Sequence, residues 1–431
     1  MSNIYKSPTR ALMDARMLRL KEFIINAVTT EMQSHATAHP QNRDTIRRLL
    51  LEAFVRTKME LKPEERDRVV DSALADLIGY GPLELLLSDP DISEIMVNGI
   101  KQVFVERDGE LLETDVKFDN EDHLLRIIDR IVSPLGRRVD ADNPTADARL
   151  PDGSRVNVII PPVAVDGPHI TIRKFLQTKI TMNDLVSMGA LTANMAKFLE
   201  ACVVARLNIL VTGNTSSGKT TVLNALSGFI PEKERIVTIE DAVELKLKQR
   251  HVVRLETKIP NVDGVGAVNV RELVRNALRM RPDRIVVGEV RGGEAMDMLQ
   301  AMNTGHTGSL TTLHANIPRD AISRLETMAM MAGLDMPLLA IRKQIAAAVN
   351  LIVHLARLSD GSRKMTYITE LSGMESDVVT LTDIFKFEQT GMAMDGKIIG
   401  QLRPTGMRPM FSPRLETSGY KLGGEIFGAG L

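Results

Sequence analysis

Residues 207–221 read Leu-Asn-Ile-Leu-Val-Thr-Gly-Asn-Thr-Ser-Ser-Gly-Lys-Thr-Thr. The apolar run Leu207 to Val211 leads into a loop of small residues, and the stretch from Lys219 to Leu226 favours a helix. The loop, Gly213 to Thr220, matches the pattern G-x-x-x-x-G-K-[ST], in which backbone N–H groups point inward at phosphate oxygens. The N-terminus of the following helix adds a favourable dipole. The order strand, loop, helix therefore predicts a phosphate-binding loop in an α/β sheet.

Two side chains of this loop have a specific predicted use. Lys219 is expected to bind the β and γ phosphates of ATP, and Thr220 to hold Mg²⁺. The alternative is a chance Gly-Ser-rich loop with an exposed lysine at a helix start, which the agreement of strand, loop and helix disfavours. The predicted nucleotide-binding residues are Gly213, Asn214, Thr215, Ser216, Ser217, Gly218, Lys219, Thr220 and Thr221.

Further strands and helices follow the loop in alternation. The runs Ile236 to Ile239 and Ile285 to Val287 are short and rich in Val and Ile, which is typical of parallel strands buried on both faces. Val270 to Met280 and Glu294 to Asn303 have the length and pattern of the crossover helices. The fold class predicted for this part of the chain is a doubly wound α/β sheet.

Two acidic residues follow these strands at the edge where a nucleotide would bind. Glu240 ends the stretch Thr238-Ile-Glu, and Glu289 follows Gly288 after an apolar run that no Asp terminates. A P-loop enzyme needs one carboxylate for the metal and one to orient the attacking water. We therefore predict Glu289 and Glu240 as catalytic residues, with Glu289 also a metal residue. The alternative for either acid is a helix cap or a solvated loop carboxylate.

The rest of the chain suggests four regions. Residues 1–78 have a helical pattern, and residues 79–178 read as a smaller α/β domain with a turn at Pro151-Asp152-Gly153. Residues 179–400 form the predicted ATPase domain. Residues 401–431, with their Gly and Pro content, are expected to form a loosely packed tail.

Composition limits the surroundings in which the protein works. The formal net charge is −1, so no global basic field draws the chain onto nucleic acid or anionic lipid, and nucleic acid is not expected as a direct partner. The single cysteine, Cys202, fits a reducing cytosol. No uncharged apolar run reaches the roughly 18 residues that a membrane-spanning helix needs, so any membrane work is expected from the water side.

Taken together, these motifs resemble the type II/IV secretion-system ATPase superfamily. Residues 238–245 look like its Asp box, residues 287–291 like its Walker B motif and residues 305–316 like its His box. The resemblance is closest to the CpaF-like (Tad pilus) branch. That narrower assignment depends on residues 152–175 and on the motifs at residues 403–406 and 408–409.

The resemblance implies a ring of six identical subunits, each with a smaller N-terminal domain before a RecA-like ATPase domain. Nucleotide would sit between the two domains. It also implies that arginines of the smaller domain close onto the phosphates, which points to Arg155 and Arg173, since a guanidinium pairs well with phosphate. His314 lies in the box expected to sense the γ-phosphate or the next subunit, and its chemical role stays open.

The implied function is Mg²⁺-dependent ATP hydrolysis that powers pilus subunit assembly or secretion. The protein would act at the cytoplasmic face of the inner membrane through a platform protein embedded there. Two alternatives remain compatible with the sequence. One is a conjugation-type traffic ATPase that exports DNA or effectors, and the other is a nucleotide-gated assembly scaffold with slow hydrolysis.

Overall fold

The computed structural model describes residues 4–5, 13–34, 42–107, 109–175, 180–258, 260 and 265–428. Contacts divide the chain into two compact units, Met1–Gln177 and Thr178–Leu431. The regions expected at residues 1–78 and 79–178 thus fall almost entirely in the first unit. In the described part of the chain, no helix combines the length and apolar character needed to cross a membrane.

The first unit begins with a helical layer. Helices α1 (Ala15–Ser34), α2 (Arg43–Arg56) and α3 (Pro63–Ile78) pack around a shared core that includes Ile24 and Leu50. The sequence explains where α3 starts, because Pro63 occupies its first turn and Glu65 Oε2 accepts the Lys62 backbone N–H at 3.0 Å.

A seven-stranded sheet completes the first unit, in the order β1-β4-β3-β2-β7-β6-β5. The short pair β1–β4 is parallel and every other pair is antiparallel. Helix α5 packs apolar residues such as Ile127 into the core of this sheet. The elements are β1 (Ile4–Tyr5), α4 (Glu84–Ser88), β2 (Ile92–Asn98), β3 (Gln102–Arg107), β4 (Glu110–Thr114), α5 (Glu121–Val132), β5 (Thr145–Arg149), β6 (Arg155–Ile159) and β7 (His169–Arg173).

The second unit is built on a nine-stranded sheet in the order β10-β9-β11-β12-β8-β13-β14-β15-β16. The first six strands in this order are parallel, and the last three add on antiparallel. The strands are β8 (Ile209–Gly213), β9 (Ile236–Glu240), β10 (Val252–Glu256), β11 (Arg284–Val287), β12 (Leu310–His314), β13 (Leu351–Arg357), β14 (Arg363–Glu375), β15 (Val378–Met392) and β16 (Ile398–Pro404).

Helices cover both faces of this sheet. Strands β8, β9 and β11 are buried along their whole length, as a parallel sheet between two helical layers requires. One core contains Phe198 and Leu223, and the opposite core contains Leu299 and Ile345. The helices are α6 (Met182–Ser187), α7 (Ala193–Val204), α8 (Lys219–Ser227), α9 (Val270–Ala277), α10 (Glu294–Asn303), α11 (Pro318–Met330), α12 (Leu338–Ala348) and α13 (Ser412–Thr417). The predicted α/β fold class is confirmed.

Strand order determines where the phosphate loop lies. Strand β8 is in the interior of the sheet, between β12 and β13, and its last residue, Gly213, is in register with His314 on one side and Leu355 on the other. Parallel strands end at a common edge, so β9 and β11 bring Glu240 and Gly288 to this edge as well. The sheet thereby collects the predicted acids beside the loop.

The C-terminal segment corrects one expectation. Residues 401–428 are packed rather than loose, because apolar side chains lie among the glycines and prolines and are buried in a core of the second unit. Phe427 is 2% exposed and its ring centroid lies 5.8 Å from that of Phe198. The carboxylate of Glu370 accepts the backbone N–H groups of Met410 and Phe411, at 3.1 and 3.3 Å. Residues 429–431 lie outside the described part of the chain.

Replacing Phe427 by Ala should lower the free energy of unfolding by about 3–5 kcal/mol, because a buried aromatic ring leaves a cavity. Chemical denaturation of the purified protein measures this. Met394→Ala is the control, since Met394 is fully exposed and its loss should change stability little. Equal stability of the two variants would show that the C-terminal segment does not belong to the core.

Candidate nucleotide-binding site

Close contacts shape the phosphate loop. A Cβ atom on Gly213 would lie 2.3 Å from the Leu355 carbonyl oxygen and 2.6 Å from Ser217 Oγ, so only glycine fits there. Ser217 is buried and its Oγ donates a hydrogen bond to the Asn214 carbonyl at 2.8 Å. Gly218 has a left-handed backbone, φ 94°, immediately before α8. The loop is therefore closed on itself and held against β13.

Lys219 points its ammonium into the loop. The side chain is 8% exposed, and Nζ donates to the Asn214 carbonyl at 3.0 Å. Nζ also lies 3.4 Å from His314 Nδ1. The pKa of Lys219 is lowered, because burial disfavours the charged ammonium. The nearby charge of Glu289 acts in the opposite direction and offsets only part of this effect. Thr220 and Thr221 follow in the first turn of α8 and are half-buried.

His314 lies between Lys219 and Glu289. A lysine ammonium can only donate, so Nδ1 of His314 is the acceptor and the ring proton is assigned to Nε2. That nitrogen lies 2.8 Å from Glu289 Oε1, although the contact lacks the alignment of a hydrogen bond. Burial, followed by the charge of Lys219, lowers the pKa of His314. A neutral imidazole ring therefore lies between Lys219 of the loop and the predicted catalytic carboxylate of Glu289, with one ring nitrogen near each.

The other oxygen of Glu289 is paired with Arg291. Arg291 Nε donates to Glu289 Oε2 at 2.7 Å, and a second guanidinium nitrogen contacts the same oxygen. Arg291 Nη1 also lies 3.7 Å from Asp241 Oδ2, on the loop after β9. This arrangement fixes the direction of the Glu289 carboxylate and leaves Oε1 buried, with no hydrogen bond from the described residues.

The donor set fits Mg²⁺, which prefers hard oxygen ligands and keeps several of its waters. The Thr220 hydroxyl and the Glu289 carboxylate are oxygen donors of this kind. Because Glu289 Oε1 is buried yet receives no hydrogen bond from the described residues, it can accept one from a metal-bound water. These two residues are the ones predicted from the sequence to hold the metal.

Glu240 also lies at this edge of the sheet, and one of its two carboxylate oxygens stabilises the backbone. Its side chain is 3% exposed, and Oε2 accepts the backbone N–H groups of Glu244 and Leu245 at 2.8 and 3.0 Å. Gly288 leaves room for it, since a Cβ there would lie 3.0 Å from Glu240 Cγ. One carboxylate oxygen therefore holds the loop after β9. Catalytic use of Glu240 stays a prediction.

The sequence did not predict that β13 and β14 contact the phosphate loop and hold it in place. His354 is 2% exposed, and its Nδ1 lies 2.8 Å from Thr212 Oγ1, one residue before the loop. Burial lowers the pKa of His354 to about 4. Arg363, on β14, donates from Nε to the Ser216 carbonyl at 2.9 Å. The turn signal Ser359-Asp360-Gly361 marks this hairpin in the sequence, but nothing local shows that it reaches the loop.

Arg155 and Arg173 lie in the first unit. They are paired in register on the neighbouring antiparallel strands β6 and β7, so both side chains project from the same face of the sheet. Arg173 is exposed, and its Nε donates to Glu94 Oε1 at 2.6 Å. Their contact with nucleotide stays a prediction.

Comparison with known families decides the class of protein. A family model described as "Type II/IV secretion system protein" matches residues 76–393. The chain belongs to the type II/IV secretion system protein family. The match spans the sheet strands β2 to β7 of the first unit and most of the second unit, and it includes all the site residues described above.

The chain is also similar to individual proteins. A putative conjugal transfer protein of Mycobacterium tuberculosis is 39% identical over 313 residues, which cover 71% of this chain and 88% of that protein. The type IV secretion system protein PtlH of Bordetella pertussis is 35% identical over 303 residues, 64% of this chain and 89% of that protein. The solved ATPase DotB of Legionella pneumophila is 24% identical with a TM-score of 0.48, over 71% of this chain and 80% of its own. The CpaF-like branch stays a prediction from the motifs.

The buried His354 predicts a pH dependence of stability. Its pKa is lowered from 6.5 to about 4 in the folded protein, so between these values the unfolded chain binds a proton that the folded chain does not. The contribution of His354 to the free energy of unfolding is therefore complete above about pH 6.5. It falls as the pH drops toward 4, by about 3 kcal/mol in total.

Denaturation of the wild type and of His354→Gln across this pH range measures the effect. The variant lacks the titrating ring, so its free energy of unfolding should fall less steeply with decreasing pH. Identical slopes would contradict a buried, neutral His354.

Proposed function

We propose that the protein is an ATPase, hydrolysing ATP with Mg²⁺ as a ring of six identical subunits. The observation that carries this proposal is the group formed by Lys219, His314, Glu289 and Arg291 around the phosphate loop. Lys219, Glu289 and Arg291 are charged, and His314 lies between the first two. All four side chains lie at the edge of the sheet where nucleotide binds in such folds. A purely structural loop would not need a buried lysine near a largely buried carboxylate.

The residues divide the work of phosphoryl transfer among them. The loop N–H groups and Lys219 hold the β and γ phosphates, and Thr220 with Glu289 holds the metal. When bound, Mg²⁺ neutralises charge that develops on the phosphate oxygens. Glu289 is positioned by Arg291 and orients the attacking water, and neutral His314 can report the presence of the γ-phosphate to Glu289. Positioning and charge stabilisation supply most of the catalysis in this reaction class.

The proposed cellular role is to power pilus subunit assembly or secretion of the Tad type. The protein would work at the cytoplasmic face of the inner membrane, through a platform protein embedded there. The CpaF-like motifs at residues 152–175 and 403–409 support this choice.

A conjugation-type traffic ATPase is the second candidate, supported by the 39% identity to a putative conjugal transfer protein. Deletion of the gene distinguishes the two. Loss of surface pili with intact DNA transfer supports the pilus role, and the reverse result supports conjugation. The third candidate, a nucleotide-gated scaffold, predicts tight ATP binding without appreciable turnover.

Two substitutions test the chemistry. Lys219→Ala should abolish tight nucleotide binding, because the ammonium that holds the phosphates is gone. Glu289→Gln should keep ATP binding and lower kcat at least about 100-fold, because the amide cannot act as the base or hold the metal. Phosphate release and equilibrium nucleotide binding measure these effects, and Mg²⁺ removal should abolish wild-type turnover.

Lys343→Ala is the matched control for the loss of a lysine, because Lys343 is exposed on α12, a helix that contributes no residue to the site described above. The mass of Glu289→Gln in saturating ATP tests the ring and should equal six subunits. Normal turnover of Glu289→Gln would refute its assignment. A stable ring that binds ATP without wild-type turnover would favour the scaffold.

The arginines of the first unit complete the proposal. Arg173→Ala should lower kcat/KM about tenfold or more, as expected for loss of one charge-assisted contact to phosphate, without changing the unfolding transition. Arg138→Ala removes another exposed arginine of the first unit and serves as the control. Unchanged kinetics in Arg173→Ala would remove this residue from the site.

A further inference from the structure

A cavity of about 430 Å³ opens beside the phosphate loop. Three different elements line it: the start of the loop, the segment that ends β12, and helix α11. Its lining residues are Asn214, Thr215, His314, Ala315, Asn316 and Arg324, and they include no carboxylate. A polar cavity with a guanidinium and no acid suits an anion.

Arg324 lines this cavity but belongs neither to the loop nor to the group around Lys219, His314 and Glu289. It lies in the second turn of α11 and its side chain is exposed. Its positive charge acts on His314, where it helps to lower the pKa after the larger effects of burial and Lys219. Arg324 therefore faces the same space as the histidine that contacts Lys219 and Glu289.

The surrounding contacts show which end of a nucleotide would reach the cavity. Lys219 Nζ, the group that binds the β and γ phosphates in such loops, lies 3.0 Å from the Asn214 carbonyl and 3.4 Å from His314 Nδ1. Asn214 and His314 both line the cavity. The cavity thus adjoins the terminal-phosphate end of the loop, not the end where a base or ribose would leave it.

We propose that Arg324 binds the γ-phosphate of the nucleotide held by this loop and so makes the site distinguish ATP from ADP. The inference rests on the proposed ATPase function and adds a residue that no loop motif contains. A guanidinium can donate two parallel hydrogen bonds to the terminal phosphate. ADP has no group at this position, so Arg324 contributes to the affinity for ATP and not to the affinity for ADP.

Competition binding tests this difference directly. A fluorescent ADP is bound to the protein and displaced with unlabelled ADP or with a non-hydrolysable ATP analogue, both with Mg²⁺. Arg324→Ala should weaken binding of the ATP analogue about 10- to 100-fold and change ADP affinity less than about twofold. Arg324→Lys keeps the charge without the fork and should lie between the wild type and the alanine variant.

Arg319→Ala is the matched control. Arg319 is an exposed arginine on the same helix that does not line the cavity, so its loss should leave both affinities unchanged. Retained ADP affinity in Arg324→Ala also shows that the variant folds. Equal weakening of both nucleotides, or of neither, would overturn the assignment of Arg324 to the γ-phosphate.

The same measurements separate this inference from the proposed function. If the wild type binds neither nucleotide, the ATPase proposal fails together with the inference. If the wild type binds both and Lys219→Ala binds neither, but Arg324→Ala keeps the wild-type preference for the ATP analogue, only the role of Arg324 is refuted.

Discussion

The structure of the site depends on one close approach, that of the Leu355 carbonyl oxygen to Gly213. Any side chain at residue 213 would collide with that oxygen, at 2.3 Å from its Cβ. Because β8 lies between β12 and β13, the same residue is in register with His314 on its other side. The backbone of the sheet therefore fixes the position at which the phosphate loop begins. The side chains then only have to supply charge.

The charges of the site are arranged with the Glu289 carboxylate between the positive groups of Lys219 and Arg291. Lys219 and Glu289 are each largely buried, where an isolated charge is costly. The neutral ring of His314 lies between them, acceptor toward the lysine and N–H toward the carboxylate. Arg291 balances the carboxylate from its other side. A bound triphosphate would bring negative charge to Lys219 and could replace its contacts with the Asn214 carbonyl and His314.

The sequence predicts the parts of this site that depend on local pattern. The loop is a contiguous motif, and the strand-end rule for parallel sheets brings Glu240 and Glu289 to its edge. The parts that it misses come from distant segments: His354 meets Thr212 across 142 residues, and Arg324 comes from a helix whose own sequence carries no phosphate motif. The expectation of a loosely packed segment after residue 401 is wrong for a related reason. Gly and Pro content indicates turns, but the burial of Phe427 depends on Phe198, on a helix far earlier in the chain.

The phosphate loop is packed closely on one side and borders a cavity on the other. On the β13 side, the loop is held by the close approach of the Leu355 carbonyl, by the Thr212–His354 contact and by the Arg363 contact to the Ser216 carbonyl. On the β12 side, an open cavity separates the loop from Arg324. Packed interiors resist deformation, so a response to the terminal phosphate has to occur where the packing is incomplete. Nucleotide-dependent movement in this unit should therefore start with the segment after His314 and with α11, while the antiparallel strands stay fixed as its support.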